Sequence, residues 1–278
     1  RTKAIFLENL GNPAFNIPDY EPIVEMARRK GVCVMVDNTF GMGGYLFRPF
    51  EWGANVSIHS ATKWICGHGT ALGGVVVDGG NFDWTPEKYP LLAAPSESYH
   101  GLIYKEVFGN AAFAGRVRVD GLRNIGPAAS PFNSFLMLQG LETLSLRAER
   151  CCANALAIAE FLEGHPAVES VNYVGLKSNP YHDLACKYLR NGFGGVLTFR
   201  VKGGFDAAAA LVSRLELILH VGSVGDSKSL IVHPASTTHS QLSPEEQVAA
   251  GVYPNMLRLS VGIENVDDLI ADLAAALH

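Results

Sequence analysis

The chain has 278 residues, of which 48% are hydrophobic and 18% are charged, and its formal net charge is -5. This composition is typical of a globular protein and excludes a disordered chain. Acidic and basic residues are interspersed, so we expect no nucleic-acid partner. No apolar run reaches the ~18 residues of a membrane-spanning helix, so we expect no membrane partner either.

The five cysteines are odd in number, include the adjacent pair Cys151 and Cys152, and form no CxxC motif. We therefore expect free thiols in a reducing compartment, which predicts a cytoplasmic protein. No ligand cluster suggests zinc, and we expect no metal site. The N-terminus, Arg-Thr-Lys followed directly by a strand-like run, is not typical of a signal peptide and suggests a start inside a longer protein.

The first elements in chain order form a strand–helix–strand unit. Residues 4–7 predict a buried strand, and residues 20–30 predict a helix that Asp19 caps and Gly31 ends. Residues 32–36 are a continuous apolar run, which indicates a strand covered on both faces. This βαβ unit predicts a parallel sheet.

The middle of the chain predicts two more strands, a long loop and a long helical stretch. The strands lie near residues 54–59 and 72–77, and residues 79–102 predict a loop with short helical pieces. Ser130 and Pro131 are typical of a helix start. The helical pattern then continues to about residue 163, as two helices or one bent helix.

Beyond residue 166 short strands alternate with helices. The strands are predicted at 168–173, 196–201, 230–233 and 256–259, and the helices at 206–215, 244–250 and 266–277. Ser243 and Glu246 form a capping box. We predict an α/β protein with a mostly parallel large domain, residues 1–146, and a smaller α+β C-terminal domain, residues 147–278.

Polar residues follow three of the predicted strands, where parallel sheets place ligands. Glu8 and Asn12 follow the first strand, Asp37-Asn38-Thr39 follow the second, and His-Ser-Ala-Thr-Lys at 59–63 follows the third. The sequence therefore predicts a site at this edge of the sheet.

Asp37 and Lys63 each allow two interpretations. Asp37 is either a turn cap or a carboxylate that holds a cation such as a pyridinium nitrogen. Lys63 is either solvated or a nucleophile whose pKa an apolar setting lowers. Ser60 and Thr62, just before it, have hydroxyls that could bind a phosphate. Together these residues predict a pyridoxal-phosphate (PLP) site.

Several motifs resemble one family, the Cys/Met-metabolism PLP enzymes of the cystathionine γ-synthase group. The motifs are Val-Asp-Asn-Thr-Phe at 36–40, His-Ser-Ala-Thr-Lys at 59–63, Ser-Val-Gly-Asp at 223–226, His-Pro-Ala-Ser-Thr-Thr-His at 233–239 and Leu-Arg-Leu-Ser at 257–260. They span the chain in the family's order. The resemblance implies PLP fold-type I, the aspartate aminotransferase-like fold, with residues 1–146 as the C-terminal part of its PLP-binding large domain.

The resemblance implies a role for each cofactor-binding residue. Lys63 would carry PLP and then transfer protons as the catalytic residue, while Asp37 would pair with the pyridinium nitrogen. Ser60 and Thr62 would bind the phosphate, and Asn12 would lie near the phenolic oxygen. His59 and His68 are expected to be structural.

The substrate contacts are implied in the same way. Ser223 and Arg258, with Asn12 nearby, would hold the α-carboxylate of an amino-acid substrate. An arginine suits this role because its planar fork binds a carboxylate bidentately. Further phosphate contacts and a ring-stacking aromatic residue would come from a segment before residue 1, so we expect the present segment alone to be inactive.

Within the family, the string Trp-Ile-Cys-Gly-His-Gly-Thr-Ala-Leu-Gly-Gly at 64–74 resembles the O-acetylhomoserine sulfhydrylase subgroup. This implies γ-replacement of acetate by sulfide to give homocysteine, in a homotetramer built from dimers with shared active sites. A cystathionine γ-synthase or γ-lyase with the same cofactor is an alternative. A third alternative is a non-catalytic subunit that packs against a full-length partner.

Overall fold

The computed structural model describes residues 1–278 and contains two β-sheets. The strands are β1 (Ala4–Glu8), β2 (Cys33–Asp37), β3 (Val56–Ser60), β4 (Gly74–Asp78), β5 (Val168–Asn172), β6 (Val196–Val201), β7 (Leu219–His220), β8 (Leu230–Val232) and β9 (Met256–Ser260). Eight of these nine strands were predicted within about two residues, and β7 was missed. The predicted α/β class is confirmed.

Eleven α-helices accompany the strands. They are α1 (Tyr20–Arg29), α2 (Pro90–Ala93), α3 (Tyr104–Phe108), α4 (Ala112–Arg116), α5 (Arg123–Ile125), α6 (Pro131–Glu142), α7 (Leu144–Glu163), α8 (His182–Tyr188), α9 (Gly204–Arg214), α10 (Pro244–Ala249) and α11 (Val266–Ala276). The long helical stretch is thus two helices with a break at Thr143. The predicted capping box at Ser243 is present, whereas α3, α4, α5 and α8 were not predicted. No helix is both long and apolar enough to cross a membrane.

The first sheet has the order β1-β2-β3-β4. Strands β1, β2 and β3 are parallel, as the βαβ pattern predicts, and β4 runs antiparallel to β3. Helix α1 contributes Tyr20, Val24 and Ala27 to a core that also contains Val34 and Val36 of β2. The apolar run of β2 is therefore buried because helices cover the sheet there.

The second sheet has the order β5-β6-β9-β8-β7 and packs against a second apolar core. Helix α7 joins the two cores. Its first half places Ala148 and Cys152 in the first core, and its second half places Ile158 and Leu162 in the second. The division of the chain near residue 147 stays a prediction, since one continuous helix crosses that position.

A buried arginine holds α6, α7 and the segment after Lys63 together. Arg147 of α7 is 5% exposed. Its guanidinium donates to the carbonyl oxygens of Trp64 and Gly140 and, through Nε, to Thr143 Oγ1 at 3.1 Å. It has no acidic partner. Burial lowers the pKa of Arg147, and its hydrogen bonds to backbone carbonyls and to the Thr143 hydroxyl offset part of the desolvation of its charge.

Replacing Arg147 should therefore destabilise the fold strongly. Arg147→Met leaves the Trp64 carbonyl buried without a donor and removes the charged donor of the Gly140 carbonyl, which keeps only bonds from Thr143 at 3.3 and 3.4 Å. This loss should lower the free energy of unfolding by about 2–4 kcal/mol. Denaturant unfolding measures this change. Arg150→Met, at an exposed position of the same helix, is the control and should stay within about 0.5 kcal/mol of wild type. Equal losses in the two variants would contradict the role of Arg147.

Candidate active site

Three strands end side by side at one edge of the first sheet. Glu8 of β1 lies opposite Asp37 of β2, and Asp37 lies opposite Ile58 of β3. Ser60 is the last residue of β3. Glu8, Asp37 and Ser60 line one cavity of about 330 Å³, as expected for a ligand site at the carboxyl ends of parallel strands.

Lys63 extends into this cavity from a helical turn that directly follows β3. The turn is closed by hydrogen bonds from the Lys63 amide to Ser60 O at 3.2 Å and from the Gly67 amide to Lys63 O at 2.7 Å. Trp64, the next residue, does not line the cavity and is buried against Phe40. Packing of Trp64 therefore fixes the turn and leaves the lysine side chain on the cavity side.

The second sheet supplies the opposite wall. The Lys63 amine donates to Ser223 Oγ at 2.9 Å, and Arg258 of β9 donates to Asn12 Oδ1 at 3.3 Å and to Ser223 O at 3.4 Å. Arg258 is 8% exposed, and its Nε has no hydrogen-bond partner. Burial lowers the pKa of the Lys63 amine, and the positive charge of Arg258 lowers it further.

The charged side chains that line the cavity form no salt bridges with one another. Neither Arg258 nor Asp37 forms a salt bridge. The Asp37 carboxylate accepts two hydrogen bonds on Oδ1, both from Thr39. The cavity therefore presents a buried cation, a carboxylate and an amine to any ligand that enters it.

Most of the predicted site residues meet here. Asn12, Asp37, Ser60, Lys63, Ser223 and Arg258 line the cavity. Thr62 does not, because its hydroxyl is engaged with the backbone of Gly73, as donor at 3.3 Å and acceptor at 3.1 Å. Contact between Thr62 and a phosphate stays a prediction, as do the individual roles of the other residues.

Two histidines near the site lie outside the cavity. His59 contacts Ser57 Oγ at 3.0 Å within β3, and burial lowers its pKa, although the charge of Asp37 opposes this shift. His68 Nδ1 lies 2.6 Å from Cys66 O. Neither residue reaches the cavity, in agreement with a structural role.

Sequence reasoning gave no role to several other lining residues. Glu8 and Thr39 are among the polar residues at the strand ends, but the sequence does not show which group each side chain contacts. Phe40 and Val224 also line the cavity. In the sequence, the only indication that they belong to the site is that they directly follow Thr39 and Ser223.

The residues present fit PLP. The Asp37 carboxylate, with no ion-pair partner, suits the protonated ring nitrogen. The Lys63 amine, whose pKa is lowered, suits attack on the cofactor aldehyde. Ser60 offers a hydroxyl for the phosphate. The unpartnered Nε of Arg258 leaves a buried guanidinium available for a substrate carboxylate.

Comparison with known proteins agrees with this geometry. A Thermus thermophilus protein named O-acetyl-L-homoserine sulfhydrylase 1 is 56% identical over 277 residues, covering 100% of this chain and 66% of the relative. A Schizosaccharomyces pombe protein named homocysteine synthase is 53% identical, with 100% and 65% covered. The chain thus spans slightly less than two thirds of the length of these relatives.

A crystal structure from Campylobacter jejuni that carries N'-pyridoxyl-lysine-5'-monophosphate matches the fold with a TM-score of 0.95 at 42% identity. The match covers 99% of this chain and 66% of the other. The fold is therefore PLP fold-type I. The profile of the family described as Cys/Met metabolism PLP-dependent enzyme matches residues 1–278 in full, and the chain belongs to this family.

Proposed function

We propose that the whole protein catalyses a PLP-dependent γ-replacement, in which O-acetyl-L-homoserine and sulfide give L-homocysteine and acetate. The observation that carries this proposal is the cavity in which the Lys63 amine lies 2.9 Å from Ser223 Oγ, beside the buried Arg258 and the unpaired Asp37. The names of the Thermus and Schizosaccharomyces relatives support the same reaction.

The residues expected to bind the cofactor each have a role in the proposal. Lys63 carries the cofactor covalently, Asp37 binds its ring nitrogen, and Ser60 and Thr62 bind its phosphate. Asn12 lies near the phenolic oxygen of the cofactor. When bound, PLP would supply an electron sink that makes the proton on the amino-bearing α-carbon acidic.

The amine of Lys63 is the proton carrier of the reaction. Its neutral form would take the α-proton of the bound substrate, give that proton back to the substrate–cofactor complex, and then be free to take a β-proton as acetate leaves from Cγ, where sulfide adds. The lowered pKa of Lys63 increases the fraction of neutral amine, which is the form that accepts a proton. Arg258 and Ser223 hold the α-carboxylate, which fixes the α-carbon with respect to this base.

The homotetramer and the cytoplasmic location are further parts of the proposal. Helix α6 exposes Phe132, Phe135, Leu138 and Leu141, and clustered exposed apolar side chains are typical of a subunit contact. All five cysteines are free thiols, which suits a reducing compartment. Sedimentation of the whole protein tests the assembly, and a monomer would contradict it.

An assay of the whole protein tests the proposed reaction. Homocysteine should form from O-acetylhomoserine and sulfide, with turnover that depends on added PLP. Methionine and cystathionine serve as comparison substrates. Faster turnover of these two than of O-acetylhomoserine would favour a γ-lyase instead. Formation of cystathionine from cysteine, but no homocysteine from sulfide, would favour a cystathionine γ-synthase.

Replacing Lys63 should remove both the covalent link and the base. Lys63→Ala is expected to abolish borohydride-trappable PLP and to lower kcat by more than the ~10²–10⁴-fold of general acid–base catalysis alone. Mass spectrometry of the trapped protein and steady-state kinetics measure the two effects. Lys177→Ala, at an exposed position, is the control and should match wild type. Trapping at another lysine with near-normal turnover would contradict the assignment.

The charge of Arg258 should tune the reactivity of Lys63. Arg258→Gln removes a nearby positive charge, so the pKa of Lys63 should rise and its neutral fraction at a given pH below that pKa should fall. In the cofactor-free protein, acylation of Lys63 by acetic anhydride should slow, and the midpoint of its pH–rate curve should move to higher pH. Peptide mass spectrometry measures the rate.

The control for this experiment is Arg200→Gln, which alters an arginine of β6 that pairs with Glu169 outside the cavity. It should leave the Lys63 midpoint unchanged. A midpoint that stays fixed in the folded Arg258→Gln protein, or moves to lower pH, would show that Arg258 does not act on Lys63 in this way.

A further inference from the structure

The hydroxyl of Thr39 makes two strong hydrogen bonds at the ends of neighbouring strands. Thr39 Oγ1 donates to Asp37 Oδ1 at 2.6 Å, and it accepts from the Ser60 amide at 2.9 Å. The Thr39 amide also donates to Asp37 Oδ1, at 2.9 Å. Thr39 thus lies between the carboxylate of β2 and the last residue of β3.

The direction of these hydrogen bonds is fixed by proton count. A backbone amide is only a donor, so the Ser60 N–H must point at a lone pair of Thr39 Oγ1. The single hydroxyl proton is then left for Asp37, whose Oδ1 accepts it. Charge-assisted bonds of this kind are short and strong. One hydroxyl therefore links the charge of Asp37 to the backbone of Ser60.

The same link reaches the turn that carries Lys63. Ser60 O accepts from the Lys63 amide at 3.2 Å. The chain of contacts is Asp37 carboxylate, Thr39 hydroxyl, Ser60 peptide and Lys63 peptide. Both donors from Thr39 meet Oδ1, and Oδ2 accepts no hydrogen bond from the protein. The carboxylate is therefore held by one oxygen, and the other remains for a ligand.

We propose that Thr39 is a positioning residue that orients the Asp37 carboxylate and sets its spacing from the Lys63 turn. This inference rests on the proposed PLP site and assigns Thr39 a role within it. A simpler role would be local: an aspartate that accepts the amide of the second residue after it forms an ordinary Asx turn. That turn needs only the amide of residue 39, which any residue except proline supplies, and it leaves the hydroxyl bonds unexplained.

The test separates the hydroxyl from the amide. Thr39→Val keeps the shape of the side chain and the amide bond but removes both hydroxyl bonds, whereas Thr39→Ser keeps the hydroxyl. The affinity for PLP is measured by absorbance titration of the cofactor-free whole protein. Thr39→Val should raise the Kd for PLP about 10–100-fold, as expected for loss of a hydrogen bond to a charged group. Thr39→Ser should remain within about threefold of wild type.

Kinetics of the loaded enzyme provide a second readout. Because Thr39 forms no hydrogen bond with Ser223 or Arg258, the KM for O-acetylhomoserine should stay nearly constant in Thr39→Val while kcat falls. If Thr39→Val does not fold, Thr39→Ala is the second hydroxyl-free variant, with the same expected loss of PLP affinity. Thermal unfolding of the cofactor-free variants shows which of them are folded.

Two results would overturn the proposal. One is a folded hydroxyl-free variant that binds PLP as tightly as wild type. The other is a loss of affinity that Thr39→Ser shares in full, which would show that packing matters and the hydroxyl does not. A wild-type protein that binds PLP but forms no homocysteine contradicts the proposed reaction alone, and the Kd comparison then still decides the role of Thr39.

Discussion

The site depends on placing the amine of Lys63 and the guanidinium of Arg258 together in one cavity that is partly shielded from solvent. Lys63 and Arg258 repel each other, and burial disfavours the charge on both. Lys63 lies in the turn that follows β3 of the first sheet, and Arg258 lies in β9 of the second. Contacts between the two sheets therefore keep the two charged groups in one cavity. The carboxylates of Glu8 and Asp37 line the same cavity, but neither forms a direct salt bridge with either cation.

Contacts around Trp64, next to the cavity, help to hold the two sheets together. Gly225, next to the Ser223 segment, has φ +76° and packs against Trp64, where an added Cβ would lie 2.8 Å from the indole. The Gly225 amide donates to Ser260 Oγ of β9 at 3.0 Å. On the other side Arg147 binds the carbonyl of Trp64 at 2.9 Å. The turn that bears Lys63 is thus held by the Gly225 segment of the second sheet and by Arg147 of α7, so packing stability and site geometry rest on the same residues.

The sequence could predict elements whose signal is local. The apolar run that ends at Asp37 indicates a buried strand, and its neighbours follow from the βαβ rule, so the meeting of Asp37 and Lys63 was predictable. The antiparallel direction of β4 was not, because an apolar run carries no direction. Helix α8 and strand β7 are too short for a periodic pattern to show, and tertiary packing decides them. Short helices between residues 104 and 125 have the same limitation.

The hydrogen-bond partner of the Thr62 hydroxyl cannot be predicted from the chemistry of its side chain alone. A hydroxyl just before Lys63 can face a phosphate or close the turn, and both choices satisfy its one proton and two lone pairs. In the structure the β3–β4 connection brings Gly73 within reach, and the hydroxyl accepts from its amide at 3.1 Å and donates to its carbonyl at 3.3 Å. A phosphate would compete only for the donated proton, which is in the longer of these two bonds. Thr62 could therefore turn its proton to a phosphate and still close the turn through the Gly73 amide.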